Sequence, residues 1–255
     1  MSSPIVLKTP SELKIMEEAN QIVAKTLTML HEHVAPGVTT QHLDELAESF
    51  SRKHEAIPAF KGYRGFPGSL CVSLNEQVVH GIPSKKVVLR DGDILSIDFG
   101  VKYKGFYGDA AVTLPVGNVS TEASHLLDVT RESLARAIEQ VKVGNRISDI
   151  SRAVQEFVES RGYSVVRQFV GHGIGQALHE PPEIPNYYRS GRSPKLLAGM
   201  VLAIEPMVNV GNCEVKILRD GWTVVTRDKS LSAHFEHSVA VTDNGPIVLS
   251  RAKDV

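Results

Sequence analysis

At 255 residues the chain can bury a sizeable core, as one large domain or two intimate halves, and its 42% hydrophobic and 22% charged content is ordinary for a globular protein. The 28 basic and 29 acidic residues nearly cancel, which argues against a broad electrostatic footprint for nucleic acid or an anionic membrane and leaves room only for a local patch. Cys71 and Cys213 make neither a disulfide framework nor a four-thiolate zinc site. The start Met1-Ser2-Ser3-Pro4 opens no signal sequence and no apolar run approaches a membrane span, so the expected compartment is reducing cytoplasm.

Residues 11 to 34 read as a helix: Ser11 is the expected N-cap, and Leu13, Met16, Ala19, Ile22, Val23, Leu27 and Leu30 recur at helical spacing. Pro36-Gly37 ends it, and Thr40 opens a second helix with Leu43, Leu46, Ala47 and Phe50 on one face. After Pro58 the pattern turns to strand over Ser69 to His80, Asp93 to Val101 and Phe106 to Leu114. Two further helices are predicted near 121–141 and 148–161, and from Val165 onward the pattern is mostly strand. The order helix, helix, strands thus occurs twice. A constant offset pairs Val34 with Val141, Gly37 with Gly144, Leu43 with Ile150 and Phe50 with Phe157. Any two helical hairpins share a glycine connector and a few apolar positions, but internal duplication is the favoured reading. It places two similar halves, roughly 11–115 and 120–250, about an approximate twofold axis, with a central sheet and outer helices. No low-complexity linker separates them, so a single catalytic domain over 1–255 is expected.

The chemistry begins at Ile94-Leu95-Ser96-Ile97-Asp98-Phe99-Gly100, where strand alternation sets Leu95, Ile97 and Phe99 on one face and Asp98 on the other. A turn centred on Tyr103-Lys104 would place Asp98 directly opposite Asp109, with Cβ atoms roughly 4.5–5.5 Å apart. Facing carboxylates repel unless a cation lies between them. Protonation of one partner is the alternative, and two solvated, unconnected Asp near turns is the plainer reading. In Gly171-His172-Gly173-Ile174-Gly175, three glycines let backbone or ligand approach the histidine closely. Val201-Leu202-Ala203-Ile204-Glu205-Pro206 and Ala233-His234-Phe235-Glu236-His237-Ser238-Val239-Ala240-Val241 each carry a carboxylate in an apolar run, costly unless it is paired or metal-bound. Four carboxylates and one imidazole match two divalent cations, which carboxylates can bridge at a separation of roughly 3.5–4 Å. Oxygen-rich ligands with one nitrogen suit Mn, Fe(II), Co or Zn. Water shared by such ions is a nucleophile near neutral pH, so hydrolysis is the expected chemistry.

These residues resemble the methionine aminopeptidase family in its short bacterial type I form. The resemblance rests on Ser73-Leu74-Asn75-Glu76-Gln77-Val78-Val79-His80-Gly81-Ile82-Pro83, Ile97-Asp98-Phe99-Gly100, Gly171-His172-Gly173-Ile174-Gly175 with His179-Glu180-Pro181, Ala203-Ile204-Glu205-Pro206 and Phe235-Glu236-His237, in the family's order over most of the chain. It implies an α+β pita-bread fold, in which Asp109 and Glu236 bridge two metals, Asp98 completes one, and His172 and Glu205 complete the other. It further implies that Glu205 helps move the proton of the attacking water, and that His80 and His179 contact the scissile peptide and stabilise its tetrahedral intermediate. Tyr63, Phe66, Cys71 and Trp222 would line an apolar, narrow methionine pocket without a fixed charge. Leu178 stands where the family usually has an aromatic residue, which implies a locally wider pocket. His31, His33, His42, His54, His125, His234 and His237 read as surface or packing residues.

The implied partner is the N-terminus of a nascent polypeptide whose second residue is small, with the ribosome as one place to meet it and a monomer as the acting form. The protein's own Met1-Ser2 would qualify as substrate. A proline-directed pita-bread peptidase is the nearest alternative, but those carry a sizeable N-terminal domain and here one helix precedes the shared region. A metal-free peptide-binding pseudoenzyme is the alternative from another class, and it conflicts with the full ligand set. The mostly strand-like stretch from Glu205 to Glu236 leaves no room for the helical insertion of type II enzymes.

Overall fold

The computed structural model describes residues 4–252, so Met1-Ser2, the expected self-substrate, lies outside the described residues. The first half comprises α1 (Pro10–His33), α2 (Thr40–Lys53), β1 (Ile57–Pro58), a 3-10 turn (Tyr63–Gly65), β2 (Cys71–Leu74), β3 (Gln77–Val79), β4 (Ile94–Tyr103) and β5 (Phe106–Pro115). The second comprises α3 (Thr121–Glu139), α4 (Ile147–Glu159), β6 (Ser164–Val165), β7 (Gly171–Gly173), β8 (Glu180–Ile184), β9 (Val201–Ile204), β10 (Met207–Asn209), β11 (Val215–Ile217), β12 (Val224–Thr226), β13 (Ser232–His234), β14 (Glu236–Thr242) and β15 (Gly245–Val248). Helix α1 starts earlier than its periodicity suggests. Thr9, not Ser11, is the N-cap, closed by a reciprocal capping box with Glu12 and followed by Pro10 at the first helical position. The single strand expected over Ser69 to His80 is broken into β2 and β3 by a turn at Asn75-Glu76, where Asn75 has φ 52°.

A curled antiparallel sheet forms the centre, in the order β1-β4-β5-β14-β9-β7-β8, with β2 on β4 and β15 on β14. Each helix pair seals one part of it. Ala19, Val23 and Leu30 of α1 and Leu43 and Ala47 of α2 pack on Leu95, Ile97 and Phe99 of β4. Leu126, Leu134, Ile150 and Val154 of α3 and α4 pack on Leu202, Ile204, Val239 and Val241 of β9 and β14. Removing a side chain of this size from water contributes roughly 1.5–3 kcal/mol, so these two apolar layers hold the sheet and leave its other face free for polar groups.

The offset that relates the two helix pairs recurs in the hydrogen bonding. Gly37 N–H donates to Leu89 O and Gly144 N–H to Leu196 O, with φ 92° and 94° at the two glycines. Thr40 N–H donates to Val87 O and Ile147 N–H to Pro194 O, while Thr39 bridges Val88 and Arg146 bridges Lys195. The same offset carries Asp98 onto Glu205, an equivalence that the helical pattern alone did not reveal.

Candidate metal centre and active site

Five strands adjacent in the sheet each bring one ligand-type residue. Asp98 lies on β4, Asp109 on β5, Glu236 opens β14, Glu205 directly follows β9, and His172 is central in β7. The register Glu236↔Ala111 joins β14 to β5, His237↔Ile204 joins it to β9, and His172↔Ala203 joins β7 to β9. The expected pairing of Asp98 with Asp109 is not what forms. Asp98 pairs with Ala111 and Asp109 with Gly100, because the turn is Lys104-Gly105, not Tyr103-Lys104. Both turn residues have positive φ, 48° and 90°, the two-residue hairpin geometry that places Gly where a side chain is unfavourable. A register change of two residues keeps each side chain on its original face. The two carboxylates are therefore diagonal neighbours on one face, not direct opposites.

Asp109, His172 and Glu236 offer ligand atoms that all lie within 4.8 Å of one another, and Asp98 and Glu205 line the same cavity. Asp98 Oδ1, Asp109 Oδ1 and Glu236 Oε1 are buried and have no hydrogen-bond partner among the described residues. Burial holds the carboxyls of Asp98, Glu205 and Glu236 well above the usual range, with repulsion from the neighbouring carboxylates adding to it. Burial likewise moves Asp109 to about 7, against the pull of the Ala110 backbone N–H. Orphaned, mutually repelling oxygens beside an imidazole that burial holds neutral, at about 4, are what a divalent cation would satisfy. The residues thus fit a metal.

The surrounding chain fixes these groups. Asn20 of α1 accepts from Asp109 N–H at 3.3 Å, and Ser238 Oγ donates to Asp109 O at 2.8 Å. Asn186 Nδ2 donates to Glu205 O at 3.0 Å. Gly171 and Gly173 pack against Ala203 O and Pro181 O so closely that a Cβ would collide with backbone, which is the close approach expected around His172. His172 Nδ1 meets Gly173 O at 2.9 Å, leaving Nε2 turned toward Glu205 Oε1 at 3.5 Å.

A cavity of about 140 Å³ joins the carboxylates to Tyr63, Phe66, Cys71, His80, Leu178, His179 and Trp222. Phe66 and Trp222 meet edge to face at 5.2 Å, and Cys71 is paired with Asp98 across β2 and β4. Tyr63 stacks on His179 and its hydroxyl lies 2.9 Å from His179 Nδ1. His80 has φ 60° and is flanked by Phe169 and Trp222. Burial lowers His80 to about 4. Burial, then His172, Arg64 and His80, lower His179 to about 3, so both are neutral imidazoles near pH 7. The cavity also includes Phe60 and Arg64, which the sequence reading did not include, and Arg64 sets a cation at the rim of a pocket expected to carry no fixed charge. Of the histidines read as surface or packing, His31, His33, His42, His54 and His125 are exposed and His237 half-buried, whereas His234 is 1% exposed with Nε2 3.9 Å from Glu205 Oε2.

A model of metallopeptidase family M24 matches residues 14–243. The methionine aminopeptidase of Clostridium acetobutylicum is 55% identical over 96% of this chain and 98% of its own length. The crystal structure of methionine aminopeptidase from Thermotoga maritima superposes with a TM-score of 0.95 at 47% identity, covering 97% of this chain and all of that one. A prolidase from Pyrococcus horikoshii shares the fold at a TM-score of 0.80 and 23% identity, and this chain covers 64% of it. The chain belongs to metallopeptidase family M24 and, within it, to the methionine aminopeptidases of the bacterial type I form.

Proposed function

We propose that the whole chain acts as one catalytic unit that removes methionine from nascent polypeptide N-termini whose second residue is small, as a monomer in the cytoplasm, with the ribosome as one place of encounter. Both halves contribute: Asp98 and Asp109 from the first, His172, Glu205 and Glu236 from the second. The observation that carries this reading is the set of orphaned buried carboxylate oxygens opening onto a cavity of side-chain size whose wall includes Phe60, Phe66, Leu178 and Trp222. In this reading Asp98, Asp109, His172, Glu205 and Glu236 would hold two divalent cations, of Co, Mn, Fe(II) or Zn. Bound there, such cations supply Lewis acidity and make water a nucleophile at neutral pH.

The chain's own groups do the rest. Methionine, unbranched and polarizable, fills the space between Tyr63, Phe66, Cys71, Leu178 and Trp222. Glu205 takes the proton of the attacking water and passes it to the leaving amine. His179 is oriented by the Tyr63 hydroxyl: with that hydroxyl donating to Nδ1, the N–H sits on Nε2, free to donate to the peptide oxygen as charge develops. His80, also neutral and lining the same cavity, supplies a second donor. The test compares Met-Ala-Ser, Leu-Ala-Ser and Ala-Pro-Ala peptides at equal concentration. Cleavage of Met-Ala-Ser far ahead of the others is expected. Preference for the Ala-Pro bond would move the chain to the proline-directed branch, and equal cleavage of Leu and Met would remove the pocket assignment.

A further inference from the structure

His234 has no part in the mechanism above, yet it is the one buried imidazole nitrogen in the site without a hydrogen-bond partner among the described residues. Its position is not loose. It ends β13 in register with Met207 of β10, and its backbone N–H and carbonyl both meet the Thr113 hydroxyl at 2.8 Å, which in turn meets Ser96 Oγ at 2.8 Å. The backbone clamp leaves the ring aimed into the cluster, with Nε2 3.9 Å from Glu205 Oε2. The other oxygen of the same carboxylate, Oε1, faces His172 Nε2 at 3.5 Å. Glu205 thus stands between two imidazoles, one per oxygen. At 3.9 Å the Nε2 atom is just beyond hydrogen-bond length of Glu205 Oε2, and a buried polar atom left without a partner is costly.

We propose that His234 is a positioning residue that donates Nε2–H to Glu205 Oε2 and so fixes which carboxylate oxygen faces the His172 side of the site. This rests on the role given to Glu205 above. A carboxylate free to rotate would exchange its two oxygens between the metal-ligating and proton-accepting tasks. A donor fixed on Oε2 prevents that exchange and keeps the proton acceptor in line with the attacking water, where a misplacement of about 1 Å can cost on the order of 100-fold in rate. His234 itself touches neither water nor peptide in this scheme.

The test uses the full-length protein and three variants. His234→Leu should lower kcat on Met-Ala-Ser roughly 10- to 100-fold with KM little changed. His234→Gln, which keeps a side-chain N–H at similar reach, should recover kcat to within about 5-fold of the natural protein. Metal content measured by atomic absorption should stay near normal in both. A readout independent of turnover is the ¹H–¹⁵N spectrum of the imidazoles in natural protein loaded with Zn²⁺, where Glu205 is ionised: His234 should appear with its proton on Nε2, and Glu205→Ala should shift that proton and speed its exchange. An Nδ1–H tautomer, an Nε2 proton indifferent to Glu205→Ala, or a His234→Leu protein with unchanged kcat would each overturn the assignment. Glu205→Ala that retains natural kcat would instead remove the mechanism on which it stands.

Discussion

Two groups of carboxylates in this molecule teach opposite lessons. Glu48 on α2 accepts from Lys61 Nζ at 2.6 Å, from Arg52 at 2.8 and 3.0 Å and from Ser69 Oγ at 3.0 Å. The Lys61 hydrogen bond, then those of Arg52 and Ser69, outweigh its partial burial and lower its carboxyl to about 2. At the sheet centre Asp98, Asp109, Glu205 and Glu236 face no lysine or arginine partner among the described ion pairs, and burial moves them the other way. The first group is satisfied by the chain itself and is structural. The second is left for a cation that the chain does not encode, and its burial is the cost of having that cation there.

The sharpest way to break this contrast is Asp109→Asn. If Asp109 serves the proposed pair of cations, activity should fall at least about 1,000-fold, because electrostatic stabilisation is the largest part of such catalysis. Stability should move in the opposite direction. The folded-state pKa of Asp109, about 7, lies above its unfolded value, so ionisation is disfavoured in the fold and the metal-free protein loses stability as pH rises through about 7. At pH 8 with chelator, the Asn variant should melt roughly 5 °C above the natural protein, whereas with metal it should melt below it. A lower melting point in chelator would place Asp109 among the structural carboxylates.

Next in size are the two histidines. Alanine at His80 or His179 should lower kcat roughly 100- to 1,000-fold while metal content stays near normal, as for loss of a transition-state donor. Parallel loss of metal and activity would make them ligands. Tyr63→Phe removes the hydroxyl on His179 Nδ1 and should cost about 10-fold in kcat with binding of the methionine side chain preserved. A change confined to KM would limit Tyr63 to the pocket wall.

The smaller effects probe the other group and the pocket. Leu178→Phe should discriminate against bulky methionine analogues by roughly 1–2 kcal/mol relative to the natural protein, read as the ratio of kcat/KM values. Glu48→Gln should cost about 1 kcal/mol of stability, measured by urea denaturation, and leave metal affinity unchanged. Weakened metal binding in that variant would erase the distinction between the two groups.

Much of this was readable from the chain because the signals were local. Carboxylates inside apolar runs marked Glu205 and Glu236, alternation put Asp98 opposite Leu95, Ile97 and Phe99, and glycines around His172 announced close approach. The hairpin register was misread because Lys104-Gly105 and Tyr103-Lys104 differ only in which residue accepts positive φ, and Gly105 decides it. The supports were invisible for another reason. Asn20 against Asp109, Asn186 against Glu205 and His234 against Glu205 depend on which distant strands become neighbours, and the insertion of β14 between β5 and β9 is not written in any local pattern.

The most direct measurement is calorimetric titration of chelator-stripped protein with Mn²⁺ near pH 7 in buffers of different ionisation heat, which counts ions bound and protons displaced together. Burial holds all four carboxyls above their usual range in the metal-free state, Asp109 at about 7, so protons leave as cations enter; saturation at two ions per chain with proton release is expected, and Asp109→Asn should weaken both events. Absence of saturable binding, or binding with no proton release and no change in Asp109→Asn, would contradict the assignment of this cluster as the metal centre.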